Sequence, residues 1–229
     1  TQNNFERFGN GQGSTIAKAL TWDPTTPIYD DMGNYNRRSI KGIGSLNLNP
    51  VLTLLETQAK DVDEQFSGTL NVNYQITDNF SYTMVAGARV NNFNLERYTV
   101  ENSNDTPAAN FSTNKFTAFQ LSNIFTWQKE FNDLHDVKLT GVQEYSNSKT
   151  SFNSYNADNL LLPNGFYFAE TGAGFSIGNN FSERELSSFM VRAEYILDNN
   201  LSVTATGRYD GTSVFRPGNK WGFFPSIAA

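Results

Sequence analysis

The residues Thr69–Ile76, TLNVNYQI, alternate without a slip: Leu70, Val72, Tyr74 and Ile76 fall on one face, Thr69, Asn71, Asn73 and Gln75 on the other. Period-2 alternation is the signature of a strand with two chemically distinct faces. The same signature returns along the chain. A first strand is expected over about 64–76 and a second over 80–91, with Phe80, Tyr82, Met84, Ala86, Ala88 and Val90 on its apolar face. A third is expected over 116–129, with Phe119, Leu121, Phe125 and Trp127 apolar and a break at Asn123 and Ile124. Strands over 135–146, 187–197 and 201–210 follow, and a seventh begins near Lys220. The fold class is therefore all-β. What the pattern leaves open is whether the apolar faces meet a buried core or lipid.

Length answers part of that question. These strands run roughly 10–13 residues, whereas strands of water-soluble proteins most often have about 5–6, and a tilted membrane-spanning strand needs about 9–11. Connector lengths alternate as well. Short turns are expected at Thr77–Asn79, Phe131–Leu134 and Asp198–Asn200, against loops at 92–115, 147–186 and 211–219. Short turns on one rim and long loops on the other suit an outer-membrane barrel. Aromatics gather at strand ends: Phe80, Tyr82, Trp127, Phe131 and Tyr195 by the short turns, Phe116, Tyr145, Phe189 and Tyr209 by the loops. Interfacial girdles have that distribution.

Composition agrees. Mean hydropathy is −0.49, and no window approaches the roughly 18 apolar residues of a transmembrane helix, but a barrel wall needs an apolar residue only at every second position. Aromatics make up 14% of the chain and asparagine occurs 29 times, a pairing that suits long strands with one wet face. The net charge of −6, without a basic run, argues against nucleic acid as a partner. With no cysteine, neither disulfides nor thiolate metal sites are available.

Residues 1–63 carry turn signals such as NGQG, DPTTP and MGNYN and are expected to form a loop region, with a short helix around Pro50–Lys60. Residues 64–229 are expected to supply six to seven barrel strands. That number cannot close a wide barrel, and an open edge in lipid leaves unpaired backbone groups. Together with a polar start and an end inside a strand, this suggests an internal segment of something larger.

Two stretches carry a family resemblance: RYDGTSVFRPGNKWGFFPS, Arg208–Ser226, and ALTWDPTTPIYDDMGNY, Ala19–Tyr35. Both resemble SusC/RagA-type TonB-dependent outer-membrane transporters, in which a strand ending R-x-D-G-S-S-x-F leads to an N-[RK]-[WY]-G-x-F-P-S strand. Thr212 replaces the usual serine. Further similarity spans Ser187–Tyr195 and Phe131–Tyr145.

The resemblance implies a segment of a 22-stranded barrel filled by a plug, in the outer membrane of a Gram-negative bacterium. It further implies a SusD-like lipoprotein as lid, energy from the TonB complex through parts of the parent chain, and import of large nutrients such as glycan oligosaccharides or peptides. No catalytic chemistry, cofactor or metal is expected. A surface β-domain for adhesion or protein binding is the alternative.

Candidate residues follow from these expectations. Arg208, Asp210, Gly211, Phe215, Trp221, Gly222 and Pro225 form the structural motif, with an Arg208–Asp210 ion pair closed by Gly211. Arg89, Lys138, Glu144, Arg192 and Glu194 face the lumen, where they either line a substrate path or bond to plug and neighbouring strands. Trp22, Tyr29 and Tyr35 in the first loop, and Tyr155, Phe166 and Tyr167 in the loop 147–186, are candidates for substrate or partner contact, since exposed aromatics stack on sugars and anchor partners. The alternative is that they only pack the loops.

Other chemistry finds little support. His135, the single histidine, sits beside a short turn with nothing to make it catalytic. Asp61, Asp63 and Glu64 do not have the spacing of an EF-hand. GAGFSIGNN lacks the Lys-Ser/Thr of a phosphate loop and is expected to be loop punctuation.

Overall fold

A computed structural model describes residues 15–39, 48–100, 106–132, 134–161, 169–198 and 200–229. Two short helices, α1 (Thr15–Thr21) and α2 (Pro50–Glu56), precede seven strands: β1 (Gln58–Thr77), β2 (Phe80–Thr99), β3 (Ala108–Phe131), β4 (His135–Leu160), β5 (Gly172–Leu197), β6 (Leu201–Thr212) and β7 (Trp221–Ala228). The strands form one antiparallel sheet in sequence order. No helix among the described residues is long and apolar enough to cross a membrane, which says nothing of crossing with strands.

Every strand suggested by alternation is present, but β1 to β5 are longer than expected, at 20, 20, 24, 26 and 26 residues. The expected loop at 92–115 contains the end of β2 and the start of β3, and the loop at 147–186 contains the end of β4 and much of β5. The physical reason is plain in segments such as Asn147–Asn159: they are polar on both faces, so they pair by backbone hydrogen bonds without any apolar alternation. The GAGFSIGNN stretch, Gly172–Asn180, is strand and not loop punctuation. β1 begins at Gln58, inside the expected loop region, and the helix expected to reach Lys60 ends at Glu56, where Thr57 turns extended.

The short turns close as their residues allow. Asn132 (φ 53°) and Asp198 (φ 50°) take the left-handed conformation that short polar side chains tolerate best. β6 pairs with β7 through Gly211↔Trp221, Tyr209↔Phe223 and Gly207↔Pro225. Pro225 has no N–H to give, and β7 lies at the edge of the sheet, where a proline is tolerated.

The chain divides into two compact units. The first comprises Thr1–Glu64, Asn92–Asn114 and Phe152–Asn180; the second comprises Gln65–Asn91, Lys115–Ser151 and Phe181–Ala229. The first unit holds both clusters of buried apolar side chains. Tyr98, Ala109, Ala157, Leu160 and Ala169 form one, with Phe111 against it; Leu48, Leu52 and Val100 form the other, with Tyr35 against it. Asn49, fully buried, organises its loop. Its Oδ1 accepts from the N–H groups of Val51 and Leu52 at the start of α2, and its Nδ2 donates to the carbonyls of Ile28 and Asn36.

The second unit contains no buried apolar side chain among the described residues. Its apolar face is uncovered: Leu70 is 56% exposed and Tyr74 63%, with Val191, Phe223 and Ile227 likewise exposed. Among the described residues no second sheet lies over it. That is the opposite of a sandwich, whose inner faces interdigitate.

Candidate functional site

In the second unit, alternation sorts side chains onto an apolar and a polar face, and the polar face carries an ion-paired network. Arg208 Nε donates to both carboxylate oxygens of Asp210, at 2.7 and 3.0 Å, and its NH2 lies 2.7 Å from Glu144 Oε2. Since Arg208 pairs with Met190, and Asp210 with Ser188, the guanidinium spans β5 to join β6 to β4. Ser188, between them, is only 6% exposed. Separate nitrogens of one planar fork serve the two carboxylates, where a lysine would have a single nitrogen for both.

A second group holds Lys138, Arg192 and Glu194. Glu194 lies 3.9 Å from Lys138 Nζ and 3.6 Å from Arg192 NH1, and Arg192 Nε donates to Thr206 Oγ1 at 3.4 Å. Arg89 stands apart. Its guanidinium lies 5.9 Å from the Phe116 ring centroid, at the edge of a recess of about 370 Å³ lined by Gly87, Gln120, Ser146 and Ser148 among others. Phe116 was expected in an aromatic girdle. Its even-numbered position in β3 instead puts it with Ala118 and Gln120, on the polar face.

The apolar face is built around aromatic stacks. Tyr82 and Phe80 pack on Phe125 at 5.0 and 6.4 Å, and Trp221 stacks on Tyr209 at 4.8 Å and Phe189 at 6.3 Å. Gly211 makes the second stack possible: a Cβ there would sit 2.7 Å from the Trp221 ring. Gly222, the residue after Trp221 in β7, pairs with Asp210, and Phe215 lies exposed in the turn between β6 and β7. His135 Nδ1 meets the Tyr195 hydroxyl at 2.7 Å beside the short turn.

One feature of this face escaped sequence reasoning. Tyr82 donates to Asn123 Oδ1 at 2.6 Å, and Asn123 Nδ2 donates to Gln143 Oε1 at 2.6 Å. Three polar groups thus cross β2, β3 and β4 among the aromatic side chains of this face. The signal was the break at Asn123, which went unmatched with Gln143.

The first unit has its own polar surface. Asn110 Nδ2 donates to Asn156 Oδ1, and Asn156 Nδ2 donates to Ser176 Oγ at 3.0 Å. They line a recess of about 420 Å³ with Arg97, Thr99 and Asp158. Tyr155 stacks on Phe111 at 4.5 Å, so one of its ring faces is occupied while 43% of the residue stays exposed. Trp22 Nε1 donates to the Thr26 carbonyl at 3.0 Å, and the Tyr29 ring packs tilted against Tyr35 at 5.0 Å. Phe166 and Tyr167 lie outside the described residues. Asp61 faces Arg97 at 3.8 Å and Glu64 accepts from Asn92 at 3.4 Å; among the described residues no three acidic, histidine or cysteine side chains converge as metal ligands.

Comparison with known proteins gives a consistent picture. No family model matches the chain. In sequence it is similar to TonB-dependent receptor P26 of Formosa agariphila, 24% identical over 236 residues, covering 96% of this chain and 22% of the relative. TonB-dependent receptor P39 of the same organism is 27% identical, covering 96% and 21%. In structure the chain is similar to a transporter described as the RagAB peptide transporter, with a TM-score of 0.72 at 15% identity, over 97% of this chain and 26% of that one. The chain thus spans about a fifth of the length of the curated relatives it matches.

Proposed function

We propose, from the premise that this chain is a homologue of TonB-dependent receptors across 96% of its length, that it forms part of the barrel wall of an outer-membrane nutrient importer of the SusC/RagA type. The observation that carries this reading is the uncovered apolar face of the second unit opposite an ion-paired polar face. In water such a face is a liability; in a bilayer it is the required boundary, while the charges turn to a wet interior. The free edges of β1 and β7 pair with further strands of the same barrel, because hydrocarbon does not tolerate unpaired backbone groups.

The mechanism is gated passage and breaks no covalent bond. Cargo, an oligosaccharide or a peptide, binds at the loops and inner wall. A SusD-like lipoprotein closes over the mouth, and the TonB complex drives release through parts of the receptor outside these residues. Arg208, Glu144 and Asp210 tie β6 to β4 across β5 so that the wall stays rigid while cargo moves. Trp22, Tyr29, Tyr35 and Tyr155 supply contact surface for cargo or lid, with Phe166 and Tyr167.

The test uses the full-length receptor expressed in its outer membrane. Folded barrels resist detergent until heated and then shift in electrophoretic migration. The receptor is expected to fractionate with the outer membrane and show that shift, and Tyr155→Ala is expected to lower cargo uptake without abolishing the shift. Recovery of the receptor as a water-soluble protein would end the importer reading.

A further inference from the structure

We propose that the recess beside Arg89 is an oxyanion-binding site on the polar wall, built to take a carboxylate, sulfate or phosphate group. The inference rests on the importer reading only for the direction the polar face points.

Three observations converge. First, Arg89 has no carboxylate within ion-pair distance among the described residues, whereas Lys138, Arg192 and Arg208 on the same polar face all do. Its guanidinium instead lies 5.9 Å from the centroid of the Phe116 ring and is exposed, so its N–H groups are available to a ligand. Second, the recess is lined by no acidic residue. Its polar side chains, Gln120, Ser146, Ser148 and Thr69 among them, are amides and hydroxyls that can all donate. A cation would meet the Arg89 charge and no carboxylate; an oxyanion would find a guanidinium and neutral donors, with Phe116, Phe119 and Ala118 beside them for the apolar part of the molecule that bears it. Third, the space exists because small residues make it. A Cβ at Gly87 would come within 3.1 Å of Gln120 Cγ and Nε2, so the glycine lets the Gln120 amide lie across β2. At about 370 Å³ the recess holds a charged group together with part of the molecule that bears it.

Two sources could present that group: an acidic unit of the cargo, or an acidic side chain from elsewhere in the receptor. Both are oxyanions and the recess recognises what they share. The test is made on the full-length receptor, with selenate as an anomalously scattering oxyanion for crystals and radiolabelled sulfate for equilibrium dialysis in detergent. Wild type is expected to show selenate within hydrogen-bond distance of Arg89, or a carboxylate of the receptor's own chain seated there, which would identify the source as internal. Where selenate is seen, Arg89→Gln is expected to weaken sulfate binding by about tenfold or more, the scale of a lost charge-assisted hydrogen bond. Ser146→Glu supplies an internal carboxylate and is expected to abolish sulfate binding while leaving the heat-dependent migration shift intact. A recess that takes neither selenate nor a carboxylate, or sulfate binding indifferent to both substitutions, overturns the proposal. A receptor that inserts and imports normally yet fails here refutes the oxyanion site alone. One that never enters the membrane refutes the importer reading instead.

Discussion

Arg208 reaches over β5 to Glu144, 2.7 Å away on β4, while its Nε holds Asp210 at 2.7 Å on its own strand. One guanidinium therefore ties β6 to β4 across the strand between them. Its side chain is 37% exposed, so solvent screening takes back much of the Coulomb energy. Arg208→Met is expected to destabilise the receptor by about 1–2 kcal/mol, through two carboxylates left without their cation. Arg208→Lys should recover only part, because a single nitrogen cannot occupy both of the donor positions that reach Asp210 and Glu144. The check is the temperature at which the folded electrophoretic band disappears. A lysine variant as stable as wild type would show that charge alone, without the fork, suffices.

The two faces should differ sharply in what they tolerate. Val72 and Val191 project from the uncovered apolar face, whereas Asn71 and Arg192 project from the polar one. An arginine facing the middle of a bilayer costs about 2–4 kcal/mol. Val72→Arg and Val191→Arg are each expected to reduce the folded fraction in the outer membrane, while Asn71→Arg leaves it near wild type. Equal losses on both faces would contradict the assignment of lipid to the apolar side.

Asn123 sits between Tyr82 and Gln143, accepting from one and donating to the other. On a lipid-facing surface these groups have no water to fall back on. Asn123→Leu alone strands two partners at once and is expected to cost about 1–3 kcal/mol, the penalty for an unsatisfied buried polar group. Tyr82→Phe, Asn123→Leu and Gln143→Leu combined remove every partner together and should come close to neutral. Folding measured by denaturant titration in detergent discriminates the two outcomes. A triple variant worse than the single one would mean the chain of hydrogen bonds contributes more than local satisfaction.

How far the sequence could be read depended on whether one face was apolar. TLNVNYQI announces its faces because hydrophobic and amide residues alternate, and β6 is legible in the same way. Residues 147–160 and 172–180 were missed because asparagine, serine and glycine occupy both faces, and the hydrogen bonds that make them strand come from neighbours far along the chain. Phe116 misled for a related reason: an aromatic near a strand end suggests a girdle, but its even position puts it beside Arg89. The Arg208–Asp210 pair was legible, since two residues apart on a strand share a face. Glu144, two strands away, was assigned to that face, yet its pairing with Arg208 required the register between β4, β5 and β6.

The first loop should respond to acid. Asp23 and Asp30 each cap a turn: Asp23 Oδ1 accepts from the Thr25 N–H at 2.9 Å, and Asp30 Oδ1 accepts from the Asn34 N–H at 2.8 Å. These backbone hydrogen bonds favour the ionised forms and hold both carboxyls below the ordinary aspartate value of 3.8. A folded-state value below the unfolded one means that the stabilisation is complete above the unfolded value. It is lost as pH falls through the lower, folded one. Peptide-level hydrogen exchange across 22–36, corrected for the intrinsic pH dependence, is expected to quicken only below pH about 4. Asp30→Ala should show fast exchange around Met32 to Asn34 at neutral pH already. Protection unchanged down to the lowest pH, or unaffected by Asp30→Ala, would remove the carboxylates from the account of this turn.

Gly211 and Trp221 face each other across the β6–β7 ladder, and the indole lies against the backbone of the glycine. The covering shields a stretch of strand that has no side chain of its own, and it also aims the indole at Tyr209 and Phe189. A methyl group at position 211 would meet ring atoms at 2.7 Å, closer than any real contact. Gly211→Ala must therefore rotate Trp221 off its stack, at a cost of about 1–3 kcal/mol typical of overpacking. Trp221→Leu loses the stack but leaves room, so Gly211→Ala added to it should be nearly free. The two positions are then strongly coupled in a double-mutant cycle, with a coupling energy of about 1 kcal/mol or more. Additive losses would mean that the indole does not rest on Gly211 in the folded receptor.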